Sequence, residues 1–209
     1  MYVKASTITN LSDARYFAAQ FTVEWMGFCI DEGNPDYMPV HVVKALSEWV
    51  EGPKITGEFG LQDEVVILNA IGEIGLKAIQ LPMFSNIPTG RIKSEVEVIQ
   101  EIVVEKNAES NSLNALLEQM SARADYILLD FVKNSWSLTE LLHHKSVSLD
   151  WLQRSCQQYK ILLAADFQPA QLQSLTEAVS PFGLSIRGGE EERPGYKSYE
   201  ELNAIFDTL

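Results

Sequence analysis

Cysteine is nearly absent: Cys29 and Cys156 are the only two in 209 residues, and neither lies in a CxxC or Cys/His ligand spacing. That excludes a disulfide framework and a cysteine-ligated structural metal, and makes a reducing compartment the default. Long apolar runs are missing too. The opening MYVKASTITN lacks the roughly seven apolar residues of a secretory core, and no stretch approaches the roughly 18 of a membrane span, so a cytoplasmic location is expected. Glycine (12) and proline (8) are too few for a fibrous chain. Positive charge is the remaining shortage: 16 Lys+Arg face 29 Asp+Glu, a net charge of −13. Such a surplus repels phosphate backbones and anionic lipid, and no local basic patch offsets it, so neither nucleic acid nor a membrane surface is an expected partner.

What is present is a core. A hydrophobic fraction of 46% with 10% aromatics is too high for disorder, and the length suits one compact domain, residues 1–209, with no low-complexity linker. Short β-like runs alternate with segments of 3.6-residue period, the pattern of a parallel sheet with crossover helices. Strands are predicted at 2–6, 25–30, 55–59, 78–81, 96–102, 126–130, 161–165 and 184–187. Helices are predicted at 12–20, 41–51, 63–74, 112–123, 149–159, 170–179 and 199–206, the first capped by Ser12. Between the fourth and fifth strands Pro82, Pro88 and Gly90 leave room only for a short or irregular helix. Eight βα units of about 26 residues each fit a (β/α)8 TIM barrel near its lower size limit. A doubly wound open sheet would want a glycine-rich first turn, and Ser6-Thr7-Ile8-Thr9-Asn10 has none.

The order of segments carries a resemblance. VKASTITNLSDA at residues 3–14 is similar to VKICGITNLEDA, the opening of the phosphoribosylanthranilate isomerases of tryptophan biosynthesis. MGFCI at 26–30 resembles that family's second strand, and AIQL at 78–81 its AVQLHG, which makes Gln80 a substrate-binding candidate. ILLD at 127–130 resembles the strand bearing its catalytic aspartate, LDW at 149–151 its FDW, and SIRGGEEERPGYKS at 185–198 its DVSSGVE and PGxKD. The resemblance spans nearly the whole chain. It implies the barrel fold and an Amadori rearrangement of an aminoaldose phosphate, in which a carboxylic acid protonates the ring oxygen and a thiolate takes the C2 proton. It assigns the acid to Asp130 and the base position to Ser6, and implies no cofactor.

Several positions depart from the pattern. A serine hydroxyl at position 6 is a far weaker acid than a thiol and serves as a base only if another group deprotonates it. Thr7 stands where the family has glycine. The family's phosphate-binding SGGL is Ala164-Ala165-Asp166-Phe167, placing a carboxylate where phosphate oxygens would lie; two such charges at about 4 Å repel by about 1 kcal/mol even in water. Its GGTG loop is replaced around Asn134-Ser135-Trp136-Ser137, and Asn34-Pro35-Asp36 stands where it has Ser-Pro-Arg. Only Gly188-Gly189, beside the anion-binding candidate Arg187, preserves the turn.

Asp31, Glu58, Glu101, Asp130 and Asp166 fall near predicted strand ends, opposed by Arg187 and Lys133, so an acidic mouth is expected that favours a neutral or cationic small molecule, or a divalent cation held by oxygen ligands, over a phosphorylated one. No metal site is expected, because strand-end carboxylates more often pair with Arg or Lys or face water. Adjacent His143 and His144 suit a solvated pair, Cys29 a buried hydrophobe, Cys156 a helix face, Glu190-Glu191-Glu192 a solvated loop, and Trp136 either rim packing or stacking on a ligand. Two functional readings follow: a divergent isomerase-like protein whose ordinary activity is weak, absent or redirected, and a non-catalytic binding or regulatory protein on the same scaffold. The oligomeric state is left open.

Overall fold

A computed structural model describes residues 1–137, 140–141, 144–188 and 198–209. Eight parallel strands close into a barrel in chain order: β1 (Tyr2–Ser6), β2 (Val23–Cys29), β3 (Lys54–Glu58), β4 (Ala78–Leu81), β5 (Glu97–Val103), β6 (Tyr126–Asp130), β7 (Ile161–Ala164) and β8 (Gly183–Arg187). Around them run α1 (Leu11–Ala18), α2 (Val40–Ser47), α3 (Glu64–Ile74), α4 (Thr89–Ile92), α5 (Ser110–Ser121), α6 (Leu149–Gln158), α7 (Pro169–Val179) and α8 (Glu200–Phe206). The barrel is sealed by β1 against β8, with Tyr2 opposite Gly183 and Ser6 opposite Arg187. The expected (β/α)8 architecture is therefore observed, and so is the short fourth helix: four residues, with Pro88 at its N-cap position.

Element ends shift for local reasons. The first helix is capped by Asn10, not Ser12: the Asn10 side chain accepts from the Asp13 backbone N–H at 2.8 Å, and the helix starts at Leu11. The second helix stops at Ser47, short of the expected 51. Beyond it the chain turns toward Gly52, whose φ of 106° only glycine adopts readily. Ser148 caps α6 by accepting from the Trp151 N–H, and Pro169 opens α7, where its missing N–H costs nothing.

Strand alternation sorts the side chains. One set faces out under the helices, as with Ile79 and Leu81 against Ile67 and Ile92. The other fills the barrel, where Trp25, Ala78, Ile99, Leu128, Leu162 and Ala164 form an apolar plug. The Trp25 indole donates to Glu97 at 2.8 Å, and Lys54 bridges Glu97 and Glu24. With that end filled, inward positions nearer the C-terminal strand ends are left to polar groups. No helix among the described residues is long and apolar enough to cross a membrane.

Candidate functional site at the barrel mouth

Above the plug, the inward residues Ser6, Cys29, Glu58, Gln80, Glu101, Asp130, Ser185 and Arg187 line a cavity of about 1500 Å³ at the C-terminal mouth. Active sites of this fold lie at this end because eight βα loops converge there. The sequence candidates Asp130, Ser6, Gln80, Arg187 and Gly188 are thus brought to one cavity. Gly189, His143 and Glu190-Glu191-Glu192 lie outside the described residues.

At its floor is a residue that the sequence reading passed over. Lys4, two positions before Ser6 on β1, is fully buried. Its ammonium is ion-paired with Glu58 on β3 and donates to Ser6 Oγ at 2.7 Å; Ser6 Oγ shares a 2.6 Å hydrogen bond with Ser185 Oγ on β8. Thr7 completes the cage, its N–H and hydroxyl donating to the two Glu58 oxygens at 3.2 and 3.0 Å. Burial alone would raise the Glu58 pKa, but the Lys4 charge, its hydrogen bond and those from Thr7 outweigh it and hold the carboxyl below its ordinary range. Thr7 sits at φ 56°, a left-handed conformation that strains a β-branched residue by about 1–3 kcal/mol. That is the position where the isomerase motif has glycine, and the two bonds to Glu58 hold the threonine there.

The pair needs space, which Gly27 on β2 supplies. A Cβ there would stand 2.0 Å from Glu58 Oε1 and 2.9 Å from Lys4 Nζ. Gly27→Ala is expected to lower stability by about 1–3 kcal/mol, readable in a denaturant melt, because neither buried charge can retreat without losing its partner. An unchanged midpoint would mean the pair is looser than its contacts indicate.

A second charged group lies on β4 to β6. Lys133 clasps both oxygens of Glu101 at 2.7 and 2.8 Å, while Gln80 Nε2 reaches the same carboxylate at 3.3 Å. Burial raises the Glu101 pKa despite Lys133, and Asp130 and Glu58 push it further up. Lys133→Met should move the Glu101 titration, followed by carboxyl carbon NMR, to still higher pH; a fall would refute the assignment. Asp130, mostly buried, accepts from the Lys133 backbone N–H at 2.9 Å. Gln80 Oε1 is buried with no hydrogen-bond partner among the described residues.

The remaining mouth residues separate in their surroundings. Arg187 is ion-paired with Asp36 at 2.6 Å, so its guanidinium is already engaged by a carboxylate. Cys29 is buried as expected, yet it lines the cavity. Burial pushes its thiol pKa up, opposed by the Asp31 backbone N–H and reinforced by Glu58, Asp31 and Asp36. Trp136 packs against the rim: its indole lies edge-on to Phe131 and donates to the Val104 carbonyl at 2.9 Å. His144 is fixed by the Val147 N–H and the Lys106 carbonyl, away from any metal cluster. Among the described residues no group of three His, Cys, Asp or Glu side chains is placed to hold a metal ion.

Counted over the lining, eight carboxylates meet two cations, Lys133 and Arg187, with Lys4 beneath. Asp31, Asp130, Asp166, Glu200 and Glu201 have no ion-pair partner among the described residues. Ser6 and Gln80 were legible as site positions, but Lys4 was missed. The signal was its place in strand alternation with Ser6, which points a lysine into the barrel.

The fold and cavity define a (β/α)8 barrel with a polar C-terminal pocket. Among solved structures it is similar to phosphoribosylanthranilate isomerase from Thermotoga maritima, with TM-score 0.78 and 20% identity over 100% of this chain and 98% of that one. It is likewise similar to the isomerase from Thermus thermophilus, with TM-score 0.74 and 24% identity over 100% of this chain and 98% of that one. A third isomerase, 22% identical with TM-score 0.72 over 100% of this chain and 97% of that one, is in complex with reduced 1-(o-carboxyphenylamino)-1-deoxyribulose 5-phosphate. This chain therefore has the isomerase fold. No protein-family model matches it, and no curated protein does.

Proposed function

We propose that the chain is a single-domain, divergent relative of the phosphoribosylanthranilate isomerases that binds a neutral or cationic small molecule at its C-terminal mouth and does not catalyse the ordinary isomerisation. The observation that carries this reading is the hold of Lys4 on Ser6. An ammonium paired with a buried carboxylate donates to the hydroxyl at the base position, and a donor cannot take its proton. Asp130 remains where the family's acid would act, while the hydroxyl at the base position is held by Lys4. The phosphate side supports the same conclusion, since Asp166 lies on the turn after β7 and Arg187 is engaged by Asp36.

The alternative, a non-catalytic binding or regulatory protein on this scaffold, is favoured by the same Lys4 contact, which engages the hydroxyl at the base position of a formed pocket. Both readings predict that crystals grown from phosphate or sulfate hold no ordered anion between the loops following β6 and β7. An anion seated on the Asp166 turn would overturn the cation preference.

A further inference from the structure

The Ser6–Ser185 pair holds a proton that its own contacts do not use. Each serine hydroxyl offers one O–H donor and two acceptor lone pairs. Lys4 has only donors, so Ser6 Oγ is the acceptor in their 2.7 Å contact. The 2.6 Å contact between Ser6 Oγ and Ser185 Oγ consumes one hydroxyl hydrogen, whichever serine supplies it. The second hydrogen has no acceptor among the described residues, because Glu58, the carboxylate of this group, bonds Lys4 and Thr7 and neither serine. Ser6 on β1 and Ser185 on the adjoining β8 both line the mouth cavity, although each is more than nine-tenths buried.

We propose that this hydroxyl pair is a donor site at the cavity floor for the oxygen of an uncharged ligand, a carbonyl or a hydroxyl. The proposal rests on the reading of the mouth as one for a neutral or cationic molecule, and it fixes the chemistry of the part that meets β1 and β8. A cationic head suits this point poorly, since its hydrogens leave the spare O–H unmade and the Lys4 ammonium stands directly behind Ser6. An anionic head gains no net charge from Lys4, which Glu58 neutralises, and it meets Glu101 and Asp130 in the same cavity. An uncharged oxygen takes the hydrogen without either conflict. In both directions of the Ser6–Ser185 bond, the free O–H belongs to a hydroxyl that is itself accepting a hydrogen bond, which strengthens it as a donor.

The test uses the full chain and cyclopentanone, with methylenecyclopentane as the same ring without the oxygen. The carbonyl stretch of the bound ketone, read by infrared difference spectroscopy, is expected at lower wavenumber in wild type than in Ser6→Ala/Ser185→Ala. That double variant should bind the ketone about tenfold more weakly and the hydrocarbon no more weakly. Each single alanine variant leaves one hydroxyl with a free hydrogen, so each should keep a lowered stretch. If the double variant does not fold, nuclear Overhauser contacts in wild type decide, and the ketone's ring protons are expected to reach the β-protons of Ser6 or Ser185.

An equal stretch and affinity in wild type and double variant would mean that the hydroxyls serve solvent only and would overturn the donor site, as would a bound ketone that contacts neither serine. Failure of the ketone to bind, whether or not cyclopentylamine binds, would overturn the donor site and leave the reading of the mouth standing. Tighter binding of inorganic phosphate than of the ketone or the amine would overturn both.

Discussion

Purified protein offered phosphoribosylanthranilate is expected to convert it no faster than a heat-denatured control. Two independent features require this. Proton abstraction needs a base, and at the corresponding position Ser6 Oγ accepts from Lys4 at 2.7 Å and bonds to Ser185 at 2.6 Å. Losing general-base catalysis alone lowers a rate by about 10²–10⁴-fold. The second feature is the substrate's phosphate, which must approach a rim carrying Asp166 and unpaired acids; each like-charge contact at about 4 Å costs about 1 kcal/mol in water and more in a cleft. The features separate experimentally. Ser6→Cys supplies a thiol beside an ammonium, the setting that favours a thiolate, so it repairs the base but not the anion site. Turnover is expected to stay at background in that variant. Rescue by Ser6→Cys would mean that the carboxylates do not exclude phosphate. Wild-type turnover abolished by Asp130→Asn would mean that the site is intact.

Removing one member of the buried pair should have the largest effect on folding. Lys4 is fully buried and Glu58 nearly so, and each supplies the other's counter-charge. Lys4→Met leaves a carboxylate in the barrel with only the Thr7 donors, and Glu58→Gln leaves an ammonium with the Ser6 hydroxyl and a neutral amide. Each is expected to cost about 3–5 kcal/mol in chemical denaturation, whereas the double variant Lys4→Met/Glu58→Leu should recover much of the loss, since a well-packed apolar pair needs no desolvation. A single variant within about 0.5 kcal/mol of wild type would contradict the pairing.

The same carboxylates set the acid response. Glu58 titrates below its ordinary value of 4.5, so its stabilisation is present above that pH and is lost as the pH falls through the folded value. Glu101 is displaced the other way: its contribution is full below 4.5 and declines as the pH rises through its raised folded value. In thermal melts across pH, Glu58→Gln should flatten the acid limb, whereas Glu101→Gln should lessen the decline on the neutral side.

The barrel was legible because its causes are local and periodic. Apolar runs of four to seven residues, each followed by an amphipathic stretch, admit little but parallel strands with crossovers, and β1, β4 and β6 begin and end where that pattern says. Ends were less legible where a side chain decided them, as Asn10 did by out-competing Ser12 for the cap. The acidic mouth was visible as strand-end carboxylates, but its ion pairs were not. Pairing Lys4 with Glu58 joins residues 54 positions apart, and only the β1–β2–β3 order and the space above Gly27 on the intervening strand bring them together. Cys29 was read as a simple hydrophobe because its neighbours Phe28 and Ile30 are apolar; alternation from Trp25 through Gly27 points it into the cavity instead.

The most direct test is the protonation of one atom. Nitrogen-15 NMR of Lys4 Nζ in folded protein at neutral pH should show a slowly exchanging ammonium coupled to three protons and perturbed by Glu58→Gln. A neutral amine at that pH would contradict the central claim, because Lys4 could then deprotonate Ser6 and the isomerase base would be restored in a new form.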